Sequence, residues 1–319
     1  MFGVPLRIPM PSLWLLLASA LTVAAGSNAQ ALTIDNLQNK KTEQSKPAID
    51  EAEAMPSPEF SPAQIDEMRR RFLEAHPQKL ENRAAPSDPA LEVDGVPTPV
   101  DNPADHVPFK SAGMLIFSTD TGEIASCTAQ FVGDLNVILT AAHCVRNPNN
   151  GKWFGSFTFQ RAYNNGNPAQ TVKWKCLSVY REFTSPSVNA AYDYAFILAD
   201  APSTGGMLTM ATGTPAEKPL TAIGYPSNYG NGEVMYQVTG EWASESGGIV
   251  TMKNNPMRSG NSGGAWFSNF KIDGDATNNL VVSVDSHNET GNTKDENGPL
   301  FTSDTTALHT HVKNAGCMN

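Results

Sequence analysis

Three short segments hold side chains able to do proton and nucleophile chemistry. TAAHC (140–144) offers the imidazole of His143, AYDYAFILA (191–199) the carboxylate of Asp193, and RSGNSGGAWF (258–267) the hydroxyl of Ser262 among three glycines. An imidazole titrates near neutrality, so it can take up a proton and later return it. A serine hydroxyl is a weak nucleophile until a base removes its proton. A carboxylate at the start of an apolar run can orient an imidazole and stabilise its charged form. Glycines flanking a serine let the chain turn tightly. Each residue also has a plainer reading taken alone: a packed histidine, a strand cap, a tight turn. The other histidines (His76, His106, His287, His309 and His311) lack such a context and read as surface or packing residues.

The surrounding sequence says what would position these groups. From about residue 105 onward, short apolar runs alternate with turn residues: MLIF, CTAQFV, VILTAA, SFTFQ, VKWKCLSV, YAFILA, LTAIGY, VMYQVTG, GIVTM, GGAWF, LVVSV and PLFTS. Their β-branched and aromatic content predicts an all-β domain. STDTGE between the first two runs is a hairpin turn signal. Only SDTTALHTHVKNA, near the carboxyl end, reads as a helix, with Ser303 as its cap. About a dozen strands and one terminal helix suit two small antiparallel barrels side by side.

The first third of the chain is different. Arg7 precedes the apolar run SLWLLLASALTVAA, which is short for a bilayer span, and SNAQA offers Ala29 and Ala31 around a cleavage point. Residues 1–31 are therefore expected to be a secretory signal, and the mature protein to be extracellular or periplasmic, with no membrane span. Residues 32–104 contain 14 acidic and 8 basic residues and no cysteine, and they read as a propeptide or linker. One helix is predicted inside them, over about 61–76. Ser61, Pro62 and Gln64 make its capping box, Ile65, Met68, Phe72 and Leu73 share a face, and Pro77 ends it. The stretch up to residue 104 is expected to be linker. Of the 319 residues 40% are hydrophobic and 17% charged, enough for a packed core, and the net charge of −10 argues against a nucleic-acid partner.

In their order and spacing, TAAHC, AYDYAFILA and GNSGG resemble the signatures of chymotrypsin- and trypsin-like serine proteases, over residues 105–319. GNSG and the lead-in VPFKSAGMLIF are similar in flavour to secreted bacterial glutamyl endopeptidases. The resemblance implies two six-stranded antiparallel β-barrels with a carboxyl-terminal helix. It also implies a secreted serine endopeptidase made as a zymogen, acting through an acyl-enzyme on protein or peptide substrates. His143 is then general base and acid, Asp193 its orienter and Ser262 the nucleophile, with the backbone N–H groups of Gly260 and Ser262 as the oxyanion hole. Export makes Cys127, Cys144, Cys176 and Cys317 disulfide candidates. Four cysteines allow three connectivities. Cys127–Cys144 is the family's pair and would tie the His143 turn to a neighbouring strand, leaving Cys176 and Cys317 to staple the carboxyl terminus. The cysteines are widely scattered without a CxxC, so no metal and no other cofactor is expected.

The chain also departs from relatives. Digestive family members carry aspartate before the nucleophile, to pair with a new amino terminus after cleavage; here Asn261 stands there, and a neutral amide makes no such ion pair. Prosegment cleavage is expected after Arg83 or near 100–105. Counting back from Ser262 to the place of trypsin's pocket aspartate reaches Pro256, so that pocket floor is absent. Counting along VVSVDSHN puts Asp285 where glutamyl endopeptidases carry histidine, followed by Ser286 and His287. Pro256, Asp285, Ser286 and His287 are the expected substrate-binding residues. A buried Asp285 repels a substrate glutamate, so strict glutamate specificity is not expected. The competing reading is a catalytically inactive protease fold used as a binding module, and the enzyme is expected to be a monomer.

Overall fold

The computed structural model describes residues 46–53, the separate positions 61, 63, 64, 67 and 70, and 95–315 apart from 185 and 217. The expected signal over 1–31, most of the helix over 61–76, Arg83 and Cys317 lie outside the described residues. Of that helix, Ser61 and Gln64 are described and cap each other: Ser61 N–H donates to Gln64 Oε1 at 2.8 Å and Gln64 N–H to Ser61 Oγ at 3.3 Å. No helix among the described residues is long and apolar enough to cross a membrane.

Among the described residues fifteen strands follow in chain order: β1 (Ile49–Glu53), β2 (Thr98–Pro99), β3 (Ala112–Ser118), β4 (Ile124–Phe131), β5 (Val137–Thr140), β6 (Gly155–Arg161), β7 (Gln170–Tyr180), β8 (Ala195–Ala199), β9 (Thr209–Met210), β10 (Pro219–Gly224), β11 (Tyr236–Ser246), β12 (Ile249–Lys253), β13 (Ala265–Ser268), β14 (Leu280–Val284) and β15 (Glu296–Pro299). One sheet runs β1-β7-β6-β3-β4-β5-β8, and a further β7–β8 pairing closes β3–β8 into a six-stranded antiparallel barrel. The second runs β15-β12-β11-β10-β13-β14-β9, with β2 beside β11. Just past β14, an antiparallel bridge between His287 and Asn297 joins that end of the sheet to β15. The all-β reading holds, and so does the STDTGE hairpin: Thr119 N–H donates to Glu123 O across Gly122, whose φ is +84°.

Each sheet folds around its own apolar interior. Leu115, Phe131, Phe159, Leu177 and Ile197 fill the closed barrel, while Leu220, Val238, Met252 and Trp266 line the second sheet. A larger cluster, with Phe196, Ile223, Phe267 and Phe301, joins them, and the helix α1 (Ser303–Ala315) adds Leu308 and Val312 to it. Burying such a side chain is worth roughly 1.5–3 kcal/mol, which is why the runs of apolar residues, more than turn chemistry, locate the strands.

Three expectations need correcting. The helix cap is Thr302 instead of Ser303: Thr302 Oγ1 accepts from Asp304 N–H while Thr302 N–H donates to Thr305 Oγ1. PLFTS supplies only the last residue of a strand, because β15 ends at Pro299. The stretch before 105 is not all linker. Gly95 N–H and Val100 N–H donate to Thr239 O and Met235 O, and β2 pairs with β11. Farther back, β1 adds to β7 over Cys176–Tyr180, beyond the part of β7 that β6 covers. An 11-residue strand next to a 7-residue one leaves a bare edge of backbone donors and acceptors, and such edges recruit another strand.

Candidate active site

His143 and Asp193 meet because of strand register. β5 and β8 pair antiparallel with Thr140 opposite Ala195, so the chain leaving β5 and the chain arriving at β8 come together at one barrel end. His143 lies three residues past the first position and Asp193 two before the second. The turn at Ala142–Cys144 is a single 3-10 turn, and Ala141 and Ala142 are fully buried, leaving no room for larger side chains. His143 Nδ1 lies 2.8 Å from Asp193 Oδ2, and the His143 backbone N–H donates to Asp193 Oδ1 at 2.9 Å. Asp193 is 3% exposed.

The electrostatics fix the proton positions. Burial alone would raise the Asp193 pKa, but the charge and hydrogen bond of His143, the Ser286 hydroxyl and the His143 amide outweigh it and hold the carboxyl below its usual range. An ionised carboxylate only accepts, so Nδ1 is the donating nitrogen and Nε2 is left as the acceptor. Burial works against an imidazolium at His143; the Asp193 charge and hydrogen bond overcome this and hold the pKa above its usual value. Ser286 Oγ donates to Asp193 Oδ2 and lies 2.9 Å from His287 Nδ1. Expected as a substrate-binding residue, Ser286 therefore also braces the carboxylate.

Ser262 comes from the other sheet, on the turn before β13. Gly260 there has φ +91°, and a Cβ would fall 2.4 Å from Tyr225 O, so no other residue fits without strain. The backbone N–H groups of Gly260 and Ser262 donate to no protein acceptor among the described residues, whereas the neighbouring amides of Asn261, Gly263 and Gly264 are bonded to Arg258 O, Asp285 O and Asn261 O. Two unspent amides flanking a hydroxyl can stabilise a developing oxyanion. Among the described residues Ser262 Oγ makes no hydrogen bond to His143; catalytic contacts of this kind are often loose in unliganded enzymes.

Strand β4 holds the two halves together, and sequence reasoning passed over how. Thr128 N–H donates to Ser262 O at 2.8 Å, Thr128 Oγ1 donates to Gly260 O at 2.9 Å, and Gln130 Nε2 donates to Gly263 O at 2.9 Å. Gln130 Oε1 in turn accepts from Ala265 N–H. Both side chains are fully buried. Beside them, Cys127 is bonded to Cys144, the residue after His143. Gly263 packs against the same turn: a Cβ there would lie 2.3 Å from Thr140 Oγ1 and 2.8 Å from Ala141 N. The available signal was the pair of polar residues inside CTAQFV, out of place in a core strand. Cys127, Cys144 and His143 sit within ligand range of one another, but both sulfurs are taken up by the disulfide. Cys176 is also in a disulfide; its expected partner, Cys317, lies outside the described residues.

A cleft of about 250 Å³ opens beside Ser262, lined among others by Arg258, Asp285, Ser286, His287 and Glu296. Asp285, Ser286 and His287, the expected substrate-binding residues, line this cleft. Pro256 is not among the lining residues; its carbonyl accepts from Asn228 Nδ2. Arg258 and Glu296 were not anticipated. Asn261 is 2% exposed, and neither its Nδ2 nor its Oδ1 has a partner.

Comparison with known proteins agrees with this architecture. Residues 127–271 match the trypsin-like peptidase domain, which spans part of the chain and carries all three candidate catalytic residues. No curated relative matches the sequence. Among solved structures, the thermostable serine protease AL20 from an extremophilic microorganism is 24% identical, covering 64% of this chain and 96% of its own at a TM-score of 0.55. Protease Anisep from Arthrobacter nicotinovorans is 22% identical, covering 69% and 100%, at 0.55. A Glu endopeptidase, solved in complex with MPD, is 22% identical, covering 70% and 98%, at 0.57. The chain has the fold of the trypsin-like serine proteases, and the resemblance carried by TAAHC, AYDY and GNSGG holds.

Proposed function

We propose that this protein is a secreted serine endopeptidase that works through His143, Asp193 and Ser262. The observation that carries the reading is the doubly bonded His143–Asp193 unit, clamped through β4 to a serine turn with two unspent amides. In the reaction, Ser262 Oγ attacks the scissile carbonyl as His143 Nε2 takes its proton. The oxyanion is met by the N–H groups of Gly260 and Ser262. His143 then gives the proton to the leaving amine, and water, activated by the same imidazole, releases the acyl group. Asp193 stays ionised throughout and stabilises the imidazolium.

Residues 32–104 serve in this reading as a prosegment that follows a signal over 1–31. The support is β1, whose Asp50 is gripped by Arg146 Nη1 at 2.6 Å and Arg181 Nη2 at 2.8 Å. Arg146 lies three residues past His143, so the segment holds the turn that carries the base. Cleavage after Arg83 would free β1 yet leave residues 95–100 on the second sheet; a cut at 100–105 would strip them. Amino-terminal sequencing of the exported protein tests this, and a mature chain that still begins at residue 32 refutes it.

A fluorophosphonate probe tests the enzymatic reading. Stoichiometric labelling at Ser262, lost in the Ser262→Ala variant, is the expected result. An inert Ser262 in folded protein overturns it and leaves a binding module with a protease fold.

A further inference from the structure

The cleft beside Ser262 has a mismatch of charge. Its walls carry two carboxylates, Asp285 and Glu296, and one guanidinium, Arg258. That guanidinium is already committed: Arg258 Nη1 donates to Glu296 Oε1 at 2.6 Å and to the carbonyls of Asn255 and Met257. Asp285 is 3% exposed. Its Oδ1 accepts from Trp266 Nε1 at 2.9 Å and from Asn255 Nδ2 at 3.0 Å, while its Oδ2 is buried with no partner. A buried carboxylate oxygen without a donor or a counter-charge is costly, and the usual relief is to hold a proton. Both groups do so. Burial, then the charge of Glu296, pushes Asp285 well above the carboxylate range, and burial carries Glu296 to about 7 against the opposing pull of Arg258.

The geometry points to this cleft as the subsite for the residue on the amino side of the scissile bond, taking a lysine or arginine side chain whose cation donates to Asp285 Oδ2. This deepens the peptidase reading and rests on it. The arriving cation supplies the second positive charge that the two carboxylates lack, and it displaces the proton that stands in for it. An acidic side chain would place a third carboxylate beside two that share one cation. An apolar side chain would leave Oδ2 without a partner. The recognition comes from Asp285, just past β14, and from Glu296 of β15, while Pro256 on the loop before the nucleophile does not line the cleft. The strongest competitor is glutamine, since Arg258 Nη2 is also buried without a partner and an amide could serve both orphans at once.

The test compares peptides that differ only at that residue (Lys, Arg, Gln, Glu and Phe), hydrolysed by the full chain purified from an exporting host, with active sites counted by the fluorophosphonate. The expected result is kcat/KM for Lys or Arg at least ~100-fold above Gln and Glu, the size of effect a desolvated charge pair supports. Asp285→Asn and, separately, Glu296→Gln should each shrink the Lys-to-Phe ratio by ~10-fold or more, about 1.4 kcal/mol; if one variant fails to fold the other still reads the subsite. The same ratio should fall as pH drops through about 7, as Glu296 takes up its proton. His143, which acts electrostatically on Glu296, and His287, which lines the same cleft, are common to every peptide compared, so their effect on the chemical step cancels in the ratio. Labelled enzyme that prefers Gln, Glu or Phe overturns this inference alone. Protein that neither labels nor cleaves any peptide overturns the peptidase reading and the subsite with it.

Discussion

Asp193 and Asp285, buried carboxylates at the ends of the two sheets, are bonded to different degrees. In the closed barrel, Asp193 is almost fully buried and each of its oxygens is bonded, one to the His143 amide and the other to His143 Nδ1 and Ser286. Around the second sheet's cleft, Arg258 Nη2, both polar atoms of Asn261 and Asp285 Oδ2 have no partner; these are four of the seven buried unpartnered side-chain atoms among the described residues. Unsatisfied buried polar atoms are rare in a native structure, and each calls for an explanation. In the proposed reading, one half holds a base still and the other is completed by the substrate. A proton-transfer unit needs a fixed geometry, whereas a subsite gains affinity from contacts made only when the substrate arrives.

That contrast can be broken at either side. The largest effect belongs to the proposed nucleophile: Ser262→Ala should lower kcat by ~10⁶-fold, measured by peptide hydrolysis, with no change in melting temperature. Removing the orienter without changing its shape, Asp193→Asn, should cost ~10⁴-fold in kcat, because the imidazole loses its tautomer control. The pH profile sharpens this. Since Asp193 raises the His143 pKa, the acid limb of kcat/KM in the parent enzyme should lie above the usual histidine value of 6.5, with activity lost as pH falls through it. In Asp193→Asn the limb should move down, and an unmoved limb would mean that His143 is not the titrating base. Replacing both Cys127 and Cys144 with alanine should cost about 3 kcal/mol in unfolding free energy by denaturant titration, the value of a short cross-linked loop. Smallest is Asp50→Ala. It removes two partly exposed ion pairs and should cost about 1 kcal/mol. Burial raises the Asp50 pKa, but the hydrogen bonds and charges of Arg181 and Arg146 hold it below 3.8. The stabilisation it gives is therefore present above the unfolded carboxylate pKa and is lost as pH falls through the depressed one, which an acid titration of parent and variant would show.

Legibility in the sequence followed the type of signal. YAFILA, LTAIGY and LVVSV became β8, β10 and β14 because an apolar run this short can be buried only inside a sheet. Ile49–Glu53 gave no such signal: IDEAE is mostly polar, and its strand exists only because β7 outruns β6. Thr128 and Gln130 were visible as polar residues in an apolar strand, but their acceptors lie more than 130 residues away along the chain. Glu296 and Arg258 had no motif at all. Asp285 was found by counting from a related pattern, but its unpaired oxygen could not be counted to.

What the residues alone determined is the chemistry on offer and the class of fold: an imidazole, a carboxylate and a hydroxyl in segments of familiar shape, within a chain of short β runs. These follow from local composition, since side-chain type and period-2 patterning need no partner to be read. Only the tertiary structure decided which groups are satisfied. Whether a buried oxygen has a donor depends on what distant strands bring to it, so Asp193 ends with both oxygens bonded and Asp285 with one oxygen bonded and the other left without a donor.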